Sequence, residues 1–366
     1  MTNDQLDFAF VAELPTAASA PKKRASRGKA RTMPPSETGS ILSATAALQS
    51  PTPQVSFSQN DSTADSVTAT RMAALLEAHP DYRVLRRLQP RLTWPDRGDQ
   101  AVCRVAVLDT ETTGLDHSKD RIIELALVRV DVDVQTGLPV GGMQVYDGLE
   151  DPGLTIPREV QEITGISNEM VQGKRLDEAV VARLLDGVDL VIAHNAGFDR
   201  PFCEARMPVF RQLAWACSFA DVDWREQGRR SAKLESLAFE NGWFYDAHRA
   251  EMDCHALLAV LAEKLPKGSS TGLARLIEQA AKPSYRLMAT NAPFDAKDQL
   301  KARGYRWNAE QKVWHTRIGD SKSLDMEFAW LKENAYHQRS VVVQFERLDA
   351  GVRYSSRSGE VLFHQL

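Results

Sequence analysis

Residues 108–116 read LDTETTGLD. They close a run of alternating apolar residues, VCRVAVLDTETTG (102–114), the pattern of a half-buried strand that stops at a glycine. Residues i and i+2 of a strand project to one face, so Asp109 and Glu111 point together from its end. Two carboxylates this close repel unless a cation lies between them or one takes up a proton. Hard oxygen donors of this kind suit Mg²⁺ or Mn²⁺. Gly114 is expected to let the chain turn sharply. Alone, Asp-x-Glu is too short a pattern to carry an assignment.

Outward from this strand, RIIELALVRVDVD (121–133) and TGLPVGGMQVYDGL (136–149) read as a second strand, a turn and a third strand. REVQEITG (158–165) and SNEMVQG (167–173) read as short helices ending in glycine. LDEAVVARLLDG (176–187) is a helix, VDLVIAHN (188–195) a buried strand, and AGFDRPFCEARMP (196–208) the start of another helix. KLESLAFENG (233–242) and AEMDCHALLAVLAEKL (250–265) complete the unit. Strands followed by helices with one βα crossover imply an α/β fold, a mixed sheet flanked by helices, over residues 101–266. Within it, Asp199 is expected just inside the helix after the buried strand, and Asn195 is a residue type that caps helices. His248 is expected on a loop and Asp253 in the early turns of the last helix. His255, two residues on and about 200° round that helix, faces away and reads as structural.

Taken in order, DTETTG (109–114), HNAGFD (194–199) and His248 with Asp253 five residues later resemble the three motifs of DnaQ-like, DEDDh-type 3′–5′ exonucleases. EITGISNEMV (162–171) is similar to that family's segment between its first two motifs. The resemblance implies a ribonuclease H-like fold and two bound Mg²⁺ (or Mn²⁺) ions. It implies that Asp109 bridges both metals, that Glu111 and Asp253 help bind the one holding the attacking water, and that Asp199 supports the second. His248 is implied as the general base. The subtype with a tyrosine base needs Tyr four residues before the last Asp, where this chain has Arg249. Thr112, Leu115, Asn195 and Phe202 are the residues the resemblance places near a terminal nucleotide, with core packing the competing reading for Thr112, Leu115 and Phe202.

The remaining sequence reads as accessories. Residues 1–70 are rich in Ala, Pro, Ser, Thr and Gln and are expected to be disordered. Within them QLDFAF (Gln5, Leu6, Phe8, Phe10) resembles peptides that dock on the bacterial sliding clamp, a glutamine head and two apolar anchors suiting a shallow groove. Residues 71–100 are expected to be a helical lead-in, with helical spacing at Met72, Leu75 and Leu76 and again, past Pro80, at Val84, Leu85 and Leu88. Residues 267–283 read as linker and helix, and 284–366 as a small α+β module. There, Lys297, Lys301, Arg303 and Arg306 interleave with Tyr305, Trp307 and Trp314, a pattern that suits stacking on bases and neutralising phosphate. The same tryptophans can instead form the core of a small domain.

The 45 basic and 49 acidic residues give a net charge of −4, distributed unevenly. Residues 101–282 hold 20 basic and 29 acidic residues, and residues 283–319 seven basic and three acidic. An acidic middle with a basic flank suits a metal centre beside a nucleic-acid-gripping accessory. Four scattered cysteines form no C-x-x-C pair, so neither a zinc site nor a disulfide framework is indicated. No apolar run approaches a membrane span, and no basic-then-apolar leader heads the chain, so a cytoplasmic setting is expected. The resemblance, with which these features are consistent, implies a metal-dependent exonuclease that trims DNA from the 3′ end in proofreading or repair. An RNA-trimming exoribonuclease and a catalytically silent nucleic-acid-binding module are the alternatives.

Overall fold

The computed structural model describes residues 62–96 and 98–366. The clamp-peptide reading (Gln5, Leu6, Phe8, Phe10) and the disordered-tail reading over residues 1–61 therefore lie outside the described residues, whereas residues 62–70, expected in that tail, are helical. The chain divides into two compact units at Tyr82/Arg83. The described part of the first is a helix, α1 (Ser62–Glu77), with Met72, Leu75 and Leu76 exposed.

The second unit opens with an extended segment. Residues 86–87 form a strand, β1 (Arg86–Arg87), parallel to Trp243–Phe244. The helix expected over Val84, Leu85 and Leu88 is thus absent. The Arg86 and Leu88 amides donate instead to the carbonyls of Gly242 and Phe244, and Leu88 is buried in the main core. Cross-chain backbone partners overrode a local spacing that fits either state.

The central sheet is built on β2 (Val102–Thr112), β3 (Ile122–Asp133) and β4 (Pro139–Leu149), an antiparallel meander. Helices α2 (Arg158–Thr164), α3 (Asn168–Val171) and α4 (Glu178–Leu185) carry the chain across to β5 (Leu190–Ala193), parallel to β2. Helix α5 (Ala196–Arg206) leads on to β6 (Trp215–Cys217), parallel to β5. The strand order is β4-β3-β2-β5-β6, the mixed sheet expected from the pattern. β2 is central, so both of its faces are buried. Val105 and Val107 enter one core layer and Ala106 and Leu108 the other. The first layer is completed by α6 (Leu234–Glu240), β7 (Trp243–Phe244), α7 (Ala250–Ala262) and α8 (Gly272–Ala280). The second holds Val181 and Leu185 of α4 with Phe202 and Cys203 of α5. α8 belongs to the main core through Leu273 and Leu276. Its N-cap Thr271 accepts from the Ala274 amide and donates to the Gly137 carbonyl at 2.8 Å.

Beyond α8 the chain forms a second sheet from β8 (Ser284–Ala289), β9 (Arg306–Asn308), β10 (Val313–Ile318), β11 (Val342–Leu348) and β12 (Glu360–Gln365), in the order β12-β11-β8-β10-β9. Helices α9 (Lys297–Ala302) and α10 (Ser321–Trp330) contribute Leu300, Leu324 and Phe328 to its core.

The connection between β11 and β12 is a strap across the central domain. The Trp215 amide of β6 donates to the Ala350 carbonyl at 2.8 Å, so the strap occupies that edge of the sheet. Arg200 of α5 is 0 % exposed and donates to the carbonyls of Ala350, Gly351 and Arg353 and to Leu213, while its Nε meets Glu204 at 2.7 Å. Ser355 and Arg357 donate to Glu204 from the strap side at 2.6 and 3.1 Å. Tyr354 is buried in the second core layer and donates to Asp221 at 2.5 Å. Arg200→Ala would leave the Glu204 carboxylate and several carbonyls without their buried donor, which is expected to cost about 3–5 kcal/mol of stability. Urea unfolding of the full chain measures this, and a loss below about 1 kcal/mol, the level of an exposed pair, would show that the strap is merely resting on the helix.

Candidate metal centre

The β2–β3 register opposes Glu111 to Glu124 and then slips between Glu111 and Thr112. Such an irregularity ends regular pairing and re-aims side chains. Asp109 and Glu111 continue the face of Val105 and Val107, which is the face α7 covers. Cys254 of α7 lies 3.7 Å from the Val107 carbonyl, and its neighbour Asp253 reaches the two strand carboxylates. Ligand atoms of Asp109, Glu111 and Asp253 all lie within 4.8 Å of one another. Thr110 points to the other side, where its hydroxyl and amide hold Asp199 of α5 at 2.8 and 3.1 Å. Asp199 is buried beside the other three, outside their tightest cluster.

Gly114 does not turn through a left-handed backbone. A Cβ there would stand 2.6 Å from the Asp120 carboxylate. Asp120 binds the Asp116 amide at 2.9 Å and the Thr113 hydroxyl at 3.3 Å, so glycine is required by close approach.

α7 begins at Ala250 without a side-chain cap from its own N-cap residue, Arg249. Glu124, fully buried on β3, supplies one: it accepts from the Ala250 amide at 2.9 Å and from the Arg249 guanidinium at 2.8 Å. Asp253 accepts the Arg249 amide at 3.2 Å and the Tyr245 hydroxyl at 2.9 Å. His248 is exposed and has a left-handed backbone, φ 64°. Burial raises the Asp253 carboxyl, and the Tyr245 hydrogen bond and then the nearby His248 offset this in part. Tyr245 also lines a cavity of about 700 Å³ with Arg83, Arg229 and Arg230.

Burial, then mutual repulsion, raises these acids. Glu111 is pushed up to about 8, chiefly by burial and then by Asp253 and Glu124. Asp199 is pushed up to about 7 by burial, against the Thr110 hydrogen bonds. Asp109 stands well above the carboxylate range through burial and then Asp199, Asp253 and Glu111. Three partly buried carboxylates held together at this cost fit a divalent cation, whose charge would offset both penalties.

The other expected residues divide between the core and the surface. Asn195 occupies the N-cap of α5 with φ 71° and makes no side-chain cap bond, so it is exposed and does not cap. Its left-handed backbone carries the side chain off the helix N–H groups. Thr112 is buried with its hydroxyl spent on the Gly114 carbonyl at 2.6 Å. Phe202 packs in the second core layer against Phe198, whereas Leu115 is 51 % exposed. His255 is buried 3.5 Å from Glu251. Among the accessory residues, Arg303 pairs with Glu327 and lies over Trp330, and Trp314 packs on the module core. Lys297, Lys301, Arg306 and Trp307 are exposed. Sequence reasoning missed Thr110, Glu124 and Tyr245. Glu124 left a signal, a lone acid inside the apolar run IIELALV, but its helix-capping role depends on tertiary approach.

The fold and site define a ribonuclease H-like architecture carrying an acidic centre. Residues 106–261 match the RNase_T family model, described as an exonuclease. The chain is 33% identical over 160 residues to DNA polymerase III subunit epsilon of Treponema pallidum, covering 41% of this chain and 71% of that protein. It is 30% identical over 203 residues to the PolC-type DNA polymerase III of Thermotoga maritima, covering 53% of this chain and 14% of that protein. The 3′–5′ exonuclease DinG of Bacillus subtilis is 31% identical over 173 residues, or 45% of this chain and 18% of that protein. Among solved structures, Exonuclease X in complex with 5′ overhanging duplex DNA is 27% identical with a TM-score of 0.34, covering 43% of this chain and 89% of that one. The chain belongs to this DnaQ-like exonuclease family, whose members depend on divalent metal. It spans only 12–14% of the PolC-type relatives from Thermotoga.

Two outcomes follow from the electrostatics. In chelator, a folded chain whose Glu111 and Asp199 sit at about 8 and 7 binds more protons than the unfolded chain, where these groups return to 4.5 and 3.8. Stability should therefore fall as pH rises from about 4 to about 8, and added Mg²⁺ should raise the melting temperature more at pH 8 than at pH 5. A metal response equal at both pH values would contradict this. Tyr245→Phe, by freeing the Asp253 carboxylate to rotate, should weaken Mn²⁺ binding about 10–100-fold. Titration calorimetry reads it, and unchanged affinity would show the hydroxyl to be dispensable.

Proposed function

We propose that the chain is a metal-dependent 3′–5′ exonuclease that trims DNA ends to nucleoside 5′-monophosphates, in proofreading or repair. The observation that supports this is the convergence of Asp109, Glu111 and Asp253 from two elements far apart in sequence, with Asp199 beside them. Asp109, Glu111 and Asp253, with Asp199, would hold two Mg²⁺ or Mn²⁺ ions. When bound, these supply Lewis acidity and positive charge at the scissile phosphodiester. Thr110 and Tyr245 fix the orientation of Asp199 and Asp253. The exposed imidazole of His248 takes the proton of the attacking water at a ring nitrogen, the role of a general base. Leu115, exposed past the end of β2, meets the terminal nucleotide.

The DNA assignment is supported by the relatives' own descriptions as a PolC-type DNA polymerase III and a DNA polymerase III subunit epsilon. Among the described residues no helix is long and apolar enough to cross a membrane, and a cytoplasmic setting suits a DNA substrate.

Incubation of the full chain with 5′-labelled single-stranded DNA or RNA, with Mg²⁺ or chelator, tests the reading. Metal-dependent shortening of DNA from the 3′ end is the expected result. Preferential loss of RNA would make the enzyme an RNA-trimming exoribonuclease, and binding without cleavage would make it a silent module. His248→Ala should lower turnover about 10²–10⁴-fold with Mn²⁺ affinity retained.

A further inference from the structure

The face of the second sheet turned away from its core carries a cluster that the central site does not use. In the antiparallel register Arg317 stands directly opposite Arg286, and Arg286 opposite Glu346. One pleat along, Arg306 stands opposite His315, and His315 opposite Met288. Directly opposed residues share a face, as do residues i and i+2. Arg286, Arg306, His315 and Arg317 therefore line one surface, away from the core formed by Leu287, Ala289 and Ile318. The His315 imidazole bears this out: after burial, the charges of Arg286, Arg306 and Arg317 lower it.

The charges on this face are poorly matched. Arg286 is paired, with Glu346 at 2.5 Å. Among the described residues Arg306 makes no ion pair, and Arg317 only lies over the Tyr354 ring, 4.8 Å from its centroid. Like charges directly opposed on a sheet are destabilising, and Glu346 offsets only the Arg286 charge. A polyanion laid across the strands would offset the repulsion.

The strap links this face to the helix that carries Asp199. Tyr354, beneath Arg317, is buried in the core layer of α5, and a Cβ at Gly197 would stand 3.9 Å from its ring. Gly197 is two residues from Asp199 on the same helix. From the same strap, Ser356 lies 3.3 Å from His117 in the loop that follows Glu111 and Gly114.

We propose that Arg306, Arg317 and Arg286, with His315, form a phosphodiester-backbone site that holds the body of a nucleic-acid strand while its 3′ end lies at the acidic centre. This rests on the exonuclease reading above and extends it to the part of the substrate away from the cleaved bond. Recognition is by phosphate charge, so the site is indifferent to base sequence. Arg303 and Trp314, which the sequence pattern grouped with Arg306, are committed to internal contacts and take no part.

Fluorescence anisotropy of a long labelled DNA strand with the full chain, in EDTA so that no turnover occurs, reads the site directly. Each phosphate contact on a single strand contributes about 0.7 to the slope of log affinity against log salt. Arg306→Gln with Arg317→Gln should therefore reduce the slope by about 1.4, and Arg306→Lys with Arg317→Lys should restore it. Arg306→Gln alone, at an exposed position without an ion pair, should reduce it by about 0.7 whether or not the double variant folds. An unchanged slope in the single variant overturns the proposal, as does tighter binding of poly-glutamate than of DNA to the unmodified chain. Because the readout needs no hydrolysis, a chain that binds with these slopes but does not cleave would refute the exonuclease reading and leave this site standing.

Discussion

The seating of α7 on β3 by Glu124 is the contact on which the acidic centre depends. Asp253 belongs to a helix with no cap of its own, and Asp109 and Glu111 to a strand that ends in a pairing irregularity. Neither element alone brings the three acids together. Glu124 accepts the first amide of α7 and the Arg249 guanidinium, which sets that end of the helix against β3, next to β2. The arrangement places a fifth carboxylate near four others. Its own charge is compensated by a guanidinium and a helix N-terminus, whereas the other four lack a full counter-charge from protein. Protein-held charge is thus spent on architecture, and the uncompensated charge is concentrated where a cation can enter.

The second sheet is joined to this centre through α5. Asp199 and Arg200 are consecutive residues, one turned to Thr110 on β2 and the other into the strap from β11–β12. One helix therefore receives constraints from both sheets. The strap is held mainly by donors directed at backbone carbonyls, which ties its path to chain geometry more than to side-chain identity. The basic face over Tyr354 and the acidic centre under α5 are two sides of this one junction.

Much of this was legible in the chain itself. The strand period placed Asp109 and Glu111 on one face, and the alternation of strands and helices implied the mixed sheet. Asp199, His248 and Asp253 became legible only as a set, since each alone is an ordinary polar residue. Local pattern failed where distant partners decided the outcome. Val84, Leu85 and Leu88 fit a helix, yet their neighbours pair with residues 242–244. Asn195 is a capping residue type held in a backbone that prevents capping. Arg303 and Arg306 looked alike in sequence and separated only when Glu327 and Trp330 were seen to claim the first. The strap could not be read at all, because it joins Arg200 to carbonyls some 150 positions away and carbonyls carry no sequence signature.

The Trp215–Ala350 backbone bond gives the strap a further meaning. β6 is the rim of the central sheet, and a bare rim offers unpaired N–H and C=O groups to any passing chain. The C-terminal module covers that rim with a segment of its own polypeptide. A fragment cut at the apparent domain border near residue 266 would keep every acidic ligand and still be a poor substitute for the whole protein. It would uncover the Arg200 guanidinium, deprived of its strap carbonyls, and carry a raw strand margin prone to self-association.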